Sequence, residues 1–288
     1  MFVEEAQVNT FQQTTRPILI LGGTGKTGRR IADQLSGQGL AVRIASRGGS
    51  PAFDWENRAT WGRALEGAAA VYVSYYPDLA APGAAATVGA FADLAVAMGV
   101  KRLVLLSGRG EPEAQRAEDM VKRAGADWTV LRCSWFMQNF SESFMLDAVL
   151  AGEVALPVGA VREPFIDADD IADAAVAAFT DDRHIGQLYE LTGPRLLSFG
   201  DAVAEIAAAS GRSVRFTEIT ATDFATGPAA EGLPPDLVAL LMMLFTEVLD
   251  GRNEHVCAGV ERALGRPARD FRDYARAAAA SGVWGGAK

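Results

Sequence analysis

Short apolar runs alternate along the chain with alanine-rich stretches of helical spacing. Pro17 to Leu21, Ala41 to Ala45, Ala70 to Ser74, Arg102 to Ser107 and Trp128 to Arg132 read as strands, with helices expected near 26–37, 84–98 and 113–124. Runs apolar throughout, rather than alternating, belong to a parallel sheet covered on both faces. The pattern therefore predicts an α/β fold, a Rossmann-type doubly wound parallel sheet. Gly99 is placed to end the helix at 84–98, so Ser107 falls at the carboxyl end of the next strand, where ligands bind in open α/β sheets.

After Phe140 the pattern loosens, and Pro157, Pro164, Pro194, Pro228, Pro234 and Pro235 punctuate shorter elements. These predict a small C-terminal substrate lobe. Asp167 to Phe179 reads as a capped helix, and Leu188 to Leu191 as a short strand that can return to the first sheet. The expected division is a tail at 1–15, a nucleotide domain at 16–156 with 165–192 returning to it, and a lobe at 193–288.

The chemistry begins where Ile18-Leu19-Ile20-Leu21 runs into Gly22-Gly23-Thr24-Gly25-Lys26-Thr27-Gly28, followed by Ile31, Ala32 and Leu35 at helical spacing. Such glycines let the backbone turn tightly, approach a pyrophosphate without a Cβ in the way and bring the helix close to the strand. The helix amino end then faces the phosphates. Lys26 and Thr27 lack the four-residue spacer between glycines of a Walker loop. At the end of the second strand, Arg43-Ile44-Ala45-Ser46-Arg47 offers no acidic residue for ribose hydroxyls. Arg47, with Ser46 beside it and Arg43 as a further candidate, suits a 2′-phosphate, so the expected cofactor is NADPH/NADP. Phe53-Asp54-Trp55 is expected to follow the third strand, with Asp54 edging the adenine or closing an Asx turn.

Composition narrows the partners. The 288 residues carry a formal net charge of -9, which disfavours nucleic acid and anionic membrane surfaces. Cys133 and Cys257 stand far apart without metal or disulfide spacing, as suits a reducing cytoplasm. No stretch approaches the roughly 20 apolar residues of a membrane span, and Met1 to Thr15 has no signal-peptide pattern. A soluble cytoplasmic protein, monomer or dimer, is expected.

The glycine turn, Leu131-Arg132-Cys133-Ser134-Trp135-Phe136-Met137-Gln138-Asn139-Phe140, Pro164 to Ala172 and Tyr189 to Pro194 resemble, in order, the NmrA-like group of the atypical short-chain dehydrogenase/reductases. Leu264 to Phe271 and Phe53-Asp54-Trp55 are similar to the branch containing the festuclavine dehydrogenases of ergot alkaloid biosynthesis. That resemblance implies secondary metabolism and a Rossmann core with a lobe closing over the nicotinamide. It also implies that Ser74, Tyr75, Tyr76 and Pro77 after the fourth strand, Ser107 and Gly108 after the fifth, and Cys133 to Phe136 after the sixth line its reacting end.

Carbonyl reduction needs hydride, stabilisation of the developing alkoxide and a proton. Short-chain reductases commonly use Ser with a Tyr-x-x-x-Lys pair, which this chain lacks: Tyr76, Leu79, Ala80, Gly193 and Ala278 follow its five tyrosines at that spacing. Ser107 is the catalytic candidate, its hydroxyl donating to the substrate oxygen. Arg109, read either as a surface residue or as a substrate anchor, joins Tyr76, Trp135, Phe136 and Asn139 as candidates for binding an aromatic or polycyclic small molecule. Glu118 and Lys122 read as an exposed i, i+4 ion pair, and His184 as part of a polar connection. His255 follows Glu254, and neither histidine has metal-ligand spacing. Met137, Phe140, Phe144, Met145 and the run Leu240 to Phe245 read as ordinary core at helical spacing, or as a cavity border.

Three readings follow. One is an NADPH-dependent ketoreductase of a bulky aromatic polyketide-type metabolite, its proton supplied by the substrate's own phenol or by water. Another is an alkaloid-type iminium reductase, which needs no proton. The last is a non-catalytic NADP(H)-binding redox sensor. Fold alone does not separate them.

Overall fold

The first apolar run becomes β1 (Ile18–Leu21), every residue of it buried because successive side chains enter opposite helical layers. The computed structural model describes residues 15–227 and 233–285, so the expected tail, up to residue 14, lies outside the described residues. The chain continues through α1 (Lys26–Gly37), β2 (Val42–Ala45), α2 (Trp61–Leu65), β3 (Ala70–Val73), α3 (Ala84–Ala97), β4 (Arg102–Gly108), α4 (Pro112–Arg123) and β5 (Asp127–Cys133). Next come α5 (Asn139–Glu142), α6 (Met145–Ala151), β6 (Glu153–Leu156), β7 (Arg162–Glu163), α7 (Ala168–Thr180) and β8 (Gln187–Leu191). The last third holds β9 (Leu197–Ser198), α8 (Phe199–Ser210), β10 (Arg215–Glu218), α9 (Ala221–Thr226), α10 (Pro235–Met243), α11 (Gly259–Leu264) and α12 (Phe271–Ala280). Leu244–Val248 prolongs α10 as a π-helical turn.

The main sheet has six parallel strands in the order β2-β1-β3-β4-β5-β8. Its order reverses between β1 and β3, which opens a crevice beyond the carboxyl ends of those strands. The doubly wound expectation holds, and β8 is the strand expected to return to the sheet. One expectation fails: among the described residues no third strand lies between β2 and Phe53. Only an isolated parallel bridge, Ser46 to Ala52, extends the edge beyond β2. Gly48, Gly49 and Pro51 intervene there; the glycines favour a turn, and proline has no N–H for a ladder. The strand ending before Ser74 is therefore third in the chain, not fourth.

Alternation along β1 divides the core. Leu19 and Leu21 join Val71, Val73, Leu103 and Leu105 against α2, α3 and α4. Ile18 and Ile20 join Tyr72, Val104 and Leu131 against α1, α7 and α11. Asp167 caps α7 by accepting from the Asp169 N–H at 2.8 Å, as its position ahead of the apolar run predicts. His184 is a correction: it is buried, and its Nδ1 lies 2.8 Å from the Tyr189 hydroxyl, with its carbonyl taking a bond from Thr129. Burial lowers its imidazole pKa.

A separate apolar cluster centres on Phe140, Phe165, Phe199, Phe245, Phe271 and Trp284. Met137, Val149 and Leu156, which the sequence places in the nucleotide domain, pack into it. The C-terminal segment is also tied back to the sheet layer. Asp170, fully buried on α7, accepts from the Arg269 backbone N–H at 2.7 Å and pairs with the side chains of Arg266 and Arg269. A buried carboxylate is tolerated only with such partners. Asp170→Ala should cost about 3 kcal/mol, as when one member of a buried pair is removed, and urea denaturation followed by circular dichroism checks this.

Candidate functional site

The turn after β1 is shaped by steric need. Gly22 has φ +64°, and its carbonyl accepts from the Gly25 N–H at 2.8 Å. A Cβ on Gly28 would lie 2.3 Å from the Gly22 oxygen and one on Gly23 would lie 2.6 Å from Ile44 Cγ2, so these two glycines permit close packing of α1 and β2. Gly22, Thr24, Gly25, Lys26 and Thr27 line a cavity of about 600 Å³; Gly23 and Gly28 support it from behind. The first turn of α1 has neither a side-chain cap nor an acidic residue, so its positive end is left for an anion. Burial lowers the Lys26 pKa, Glu142 opposes that shift, and Arg30 holds Glu142 at 2.8 Å. The bare cradle, open helix end and lysine fit a dinucleotide pyrophosphate.

On the β2 side, Ser46, Arg47, Asp54, Trp55, Ser74, Tyr75 and Tyr76 line the same cavity. Arg47 lies 4.6 Å over the Tyr76 ring. Tyr76, expected beside the nicotinamide, instead meets the Arg47 guanidinium. Arg43 is also corrected: it donates to the Ala64 carbonyl at 3.0 Å and to the Glu66 carbonyl, tying down the end of α2. Asp54 both lines the cavity and closes an Asx turn, accepting from the Glu56 N–H at 3.1 Å.

At the other end lie Ser107, Gly108, Arg109, Cys133, Ser134, Trp135, Phe136 and Asn139. The apolar wall is Trp135, Phe136 and Phe144 with Leu237, Leu240, Leu241 and Leu244, and Trp135 stacks on Phe245 at 5.3 Å. Part of the run Leu240 to Phe245 thus borders the cavity, while Met137, Phe140 and Met145 are core. Burial raises the Cys133 thiol pKa, so it stays neutral.

Three expectations about this end are corrected. Glu118 is not an exposed partner of Lys122: it is buried, accepts from Arg132 at 2.8 and 2.6 Å, and lies 3.6 Å from Lys122 Nζ. Ser107 donates its hydroxyl hydrogen to Glu118 Oε1 at 2.7 Å and therefore turns an acceptor, not a donor, toward a substrate oxygen. Nor is Arg109 a surface residue. It is buried, donating to Ser134 Oγ at 2.9 Å and to His255 Nε2 at 2.8 Å. Glu190, His255 and Cys257 bring ligand-type atoms within 4.8 Å of one another, and the Arg109 guanidinium already supplies the positive charge among them.

Sequence reasoning missed Glu56, which lines the cavity, and three lining acids whose pKa is raised: Asp78, Glu111 and Glu163. Burial raises the Asp78 pKa, while the Ala80 N–H and Lys26 pull it down. Glu111 stands well above the carboxylate range through burial, with Asp78 and Glu118 adding to the shift. Glu163 is 1% exposed with an unpartnered Oε2, and burial pushes its pKa up to about 8 against the pull of Arg109. The available signal was position: Glu111 just past a strand end, and Glu163 just ahead of the Pro164-Phe165-Ile166-Asp167 run.

The family described as NAD(P)H-binding matches residues 22–182. The chain belongs to that family. The uncharacterized oxidoreductase YesF of Bacillus subtilis (strain 168) is 35% identical over 275 residues, covering 92% of this chain and 96% of its own. Agroclavine dehydrogenase of Claviceps fusiformis is 31% identical over 275 residues, covering 89% and 95%. An NADPH-dependent quinone oxidoreductase from Escherichia coli, solved with NADPH, shares the fold at TM-score 0.70 and 22% identity, covering 90% of this chain and 98% of that one. The chain is an NAD(P)H-dependent oxidoreductase. No helix among the described residues is long and apolar enough to cross a membrane.

Glu163 gives the free protein a pH signature. Its folded pKa of about 8 exceeds the ordinary 4.5, so its contribution is full below pH 4.5 and is lost as pH rises to about 8. Glu163→Gln should remove that loss. Urea denaturation at pH 5 and pH 8 is expected to show the variant gaining on the parent by roughly 1 kcal/mol per pH unit; parallel pH dependences would contradict it.

Proposed function

We propose that the chain is an NADPH-dependent reductase of a bulky aromatic ketone of secondary metabolism. The observation that carries this reading is the single cavity joining the glycine turn to the wall of Trp135, Phe136, Phe144 and the leucines of α10. It runs from the phosphate-type cradle of the glycine turn to an apolar end that suits a planar ligand. When bound, the reduced nicotinamide supplies hydride to the substrate. The glycine turn, Lys26 and the first turn of α1 hold the pyrophosphate. Trp135, Phe136 and Asn139 orient the substrate, while the stacked Trp135 and Phe245 pair keeps water from that wall.

Preference for NADPH over NADH rests on Arg47, which lines the cavity with Ser46 just past the end of β2, a strand that itself ends without a carboxylate. Arg47→Ala should weaken NADPH binding about ten- to a hundredfold, the loss of a charge-assisted hydrogen bond, and leave NADH binding within about twofold. Fluorescence titration with both cofactors measures this.

A second reading, reduction of a cyclic iminium, is supported by the acids lining the cavity and by the likeness to agroclavine dehydrogenase. NADPH oxidation with a panel of polycyclic aromatic ketones and cyclic iminium compounds separates the two. Turnover of ketones is expected; turnover of iminium compounds alone would overturn the ketone reading. Cofactor binding with no oxidation across the panel would favour a sensor.

A further inference from the structure

Ser107 directs its hydroxyl hydrogen at Glu118, and the Arg109 guanidinium is engaged by Ser134 and His255. Of the polar groups beside them at the ends of β4 and β5, Glu111 stands apart. It occupies the N-cap position of α4 yet caps nothing, since its side chain makes no bond to the helix backbone. Its carboxyl lies instead over Gly108, where a Cβ would come within 2.1 Å of Oε2 and 2.2 Å of Oε1. The glycine at 108 leaves that seat open. The carboxyl lines the cavity two loop residues beyond Gly108 and forms no hydrogen bond or ion pair among the described residues.

The groups that face Glu111 are Asp78 from the loop after β3, Glu118 from its own helix and the Cys133 thiol from β5. Two are acids and none is a cation. Arg132 and Lys122 are directed at Glu118, and Lys26 acts on Asp78. Burial, with Asp78 and Glu118 adding to it, raises the Glu111 carboxyl well above its ordinary pKa and so favours its acid form. A carboxyl held toward its acid form beside the cavity is suited to proton donation.

We propose that Glu111 is the catalytic acid that protonates the substrate carbonyl oxygen. The inference rests on the ketone reading above. The carbonyl carbon accepts hydride from the reduced nicotinamide, and the π pair of the C=O bond moves onto oxygen. That oxygen takes the Glu111 proton, giving the alcohol and the oxidised cofactor. The Glu111 carboxylate, facing Asp78 and Glu118, regains a proton from water at the cavity mouth. The chain thereby needs neither a Tyr-x-x-x-Lys pair nor a proton from its substrate.

The test compares the parent with Glu111→Gln, which keeps the shape over Gly108, on an aromatic ketone without a hydroxyl beside the carbonyl. The parent should turn over, with kcat/KM falling tenfold per pH unit above the Glu111 pKa. Glu111→Gln should lose about 10²- to 10⁴-fold in kcat, with a flat profile and NADPH binding unchanged within about twofold. Glu111→Asp should recover part of the rate together with the pH dependence. In difference infrared spectra at neutral pH, the parent should show a protonated-carboxyl C=O band absent from Glu111→Gln. A parent inactive on every ketone but active on iminium compounds would sink the ketone reading and this inference with it. An active parent matched by Glu111→Gln, a slowed variant with the parent's pH profile, loss of the basic limb in Glu163→Gln instead, or absence of the infrared band would each overturn the inference alone.

Discussion

The carboxylate of Glu118 is the constraint on which the reacting end of the site depends. Buried beneath α4, it takes the Ser107 hydroxyl and both Arg132 donors, the latter in the two-pronged geometry that a guanidinium offers a carboxylate. A charge so placed requires these partners, and their geometry pins the helix across the ends of β4 and β5. Three consequences follow. The Ser107 proton points away from the cavity, Glu111 is delivered at the head of the helix, and Gly108 must stay bare beneath it. Arg132 extends the network to Glu190 on β8 at 2.9 Å, and Glu190 accepts from the Cys257 thiol of the C-terminal segment. Sheet and lobe thus meet through charges that begin at one buried acid.

The charge of the cavity runs against that of its cofactor. A chain of net charge -9 binds a dinucleotide because the positive groups are local: the open end of α1, Lys26 and Arg47. Beyond them the lining turns acidic at Asp78, Glu111 and Glu163. The charge of Lys26 acts on the Asp78 carboxyl to lower its pKa; among the described residues Glu111 and the Oε2 of Glu163 make no hydrogen bond. Desolvation then favours their protonated forms. The same acids that would hold a cationic ligand when ionised donate a proton when neutral, which is why both the ketone and the iminium readings draw on them.

The sequence was legible wherever local chemistry decides structure. The glycine turn, the buried strands, the Asp167 cap and the returning strand all follow from neighbours a few residues apart. What escaped depends on distant partners. Glu118 and Lys122 have the spacing of an exposed pair, and only Arg132, on the adjoining strand, shows why Glu118 is buried. His184 sits in a polar stretch but folds onto Tyr189, and Arg109 meets Ser134 and His255. Arg43 was read toward the cofactor because it shares a strand with Arg47, although its side chain is held by the end of α2. The three cavity acids stand at an element boundary or in a connecting segment, where no periodicity marks a direction.

The most direct test of the account is a structure of the chain with NADP and the alcohol product of an accepted aromatic ketone. The account places the product hydroxyl within hydrogen-bond distance of the Glu111 carboxyl, with Ser107 still donating to Glu118. A product hydroxyl bonded to a Ser107 released from Glu118, with Glu111 turned away from the cavity, would contradict it.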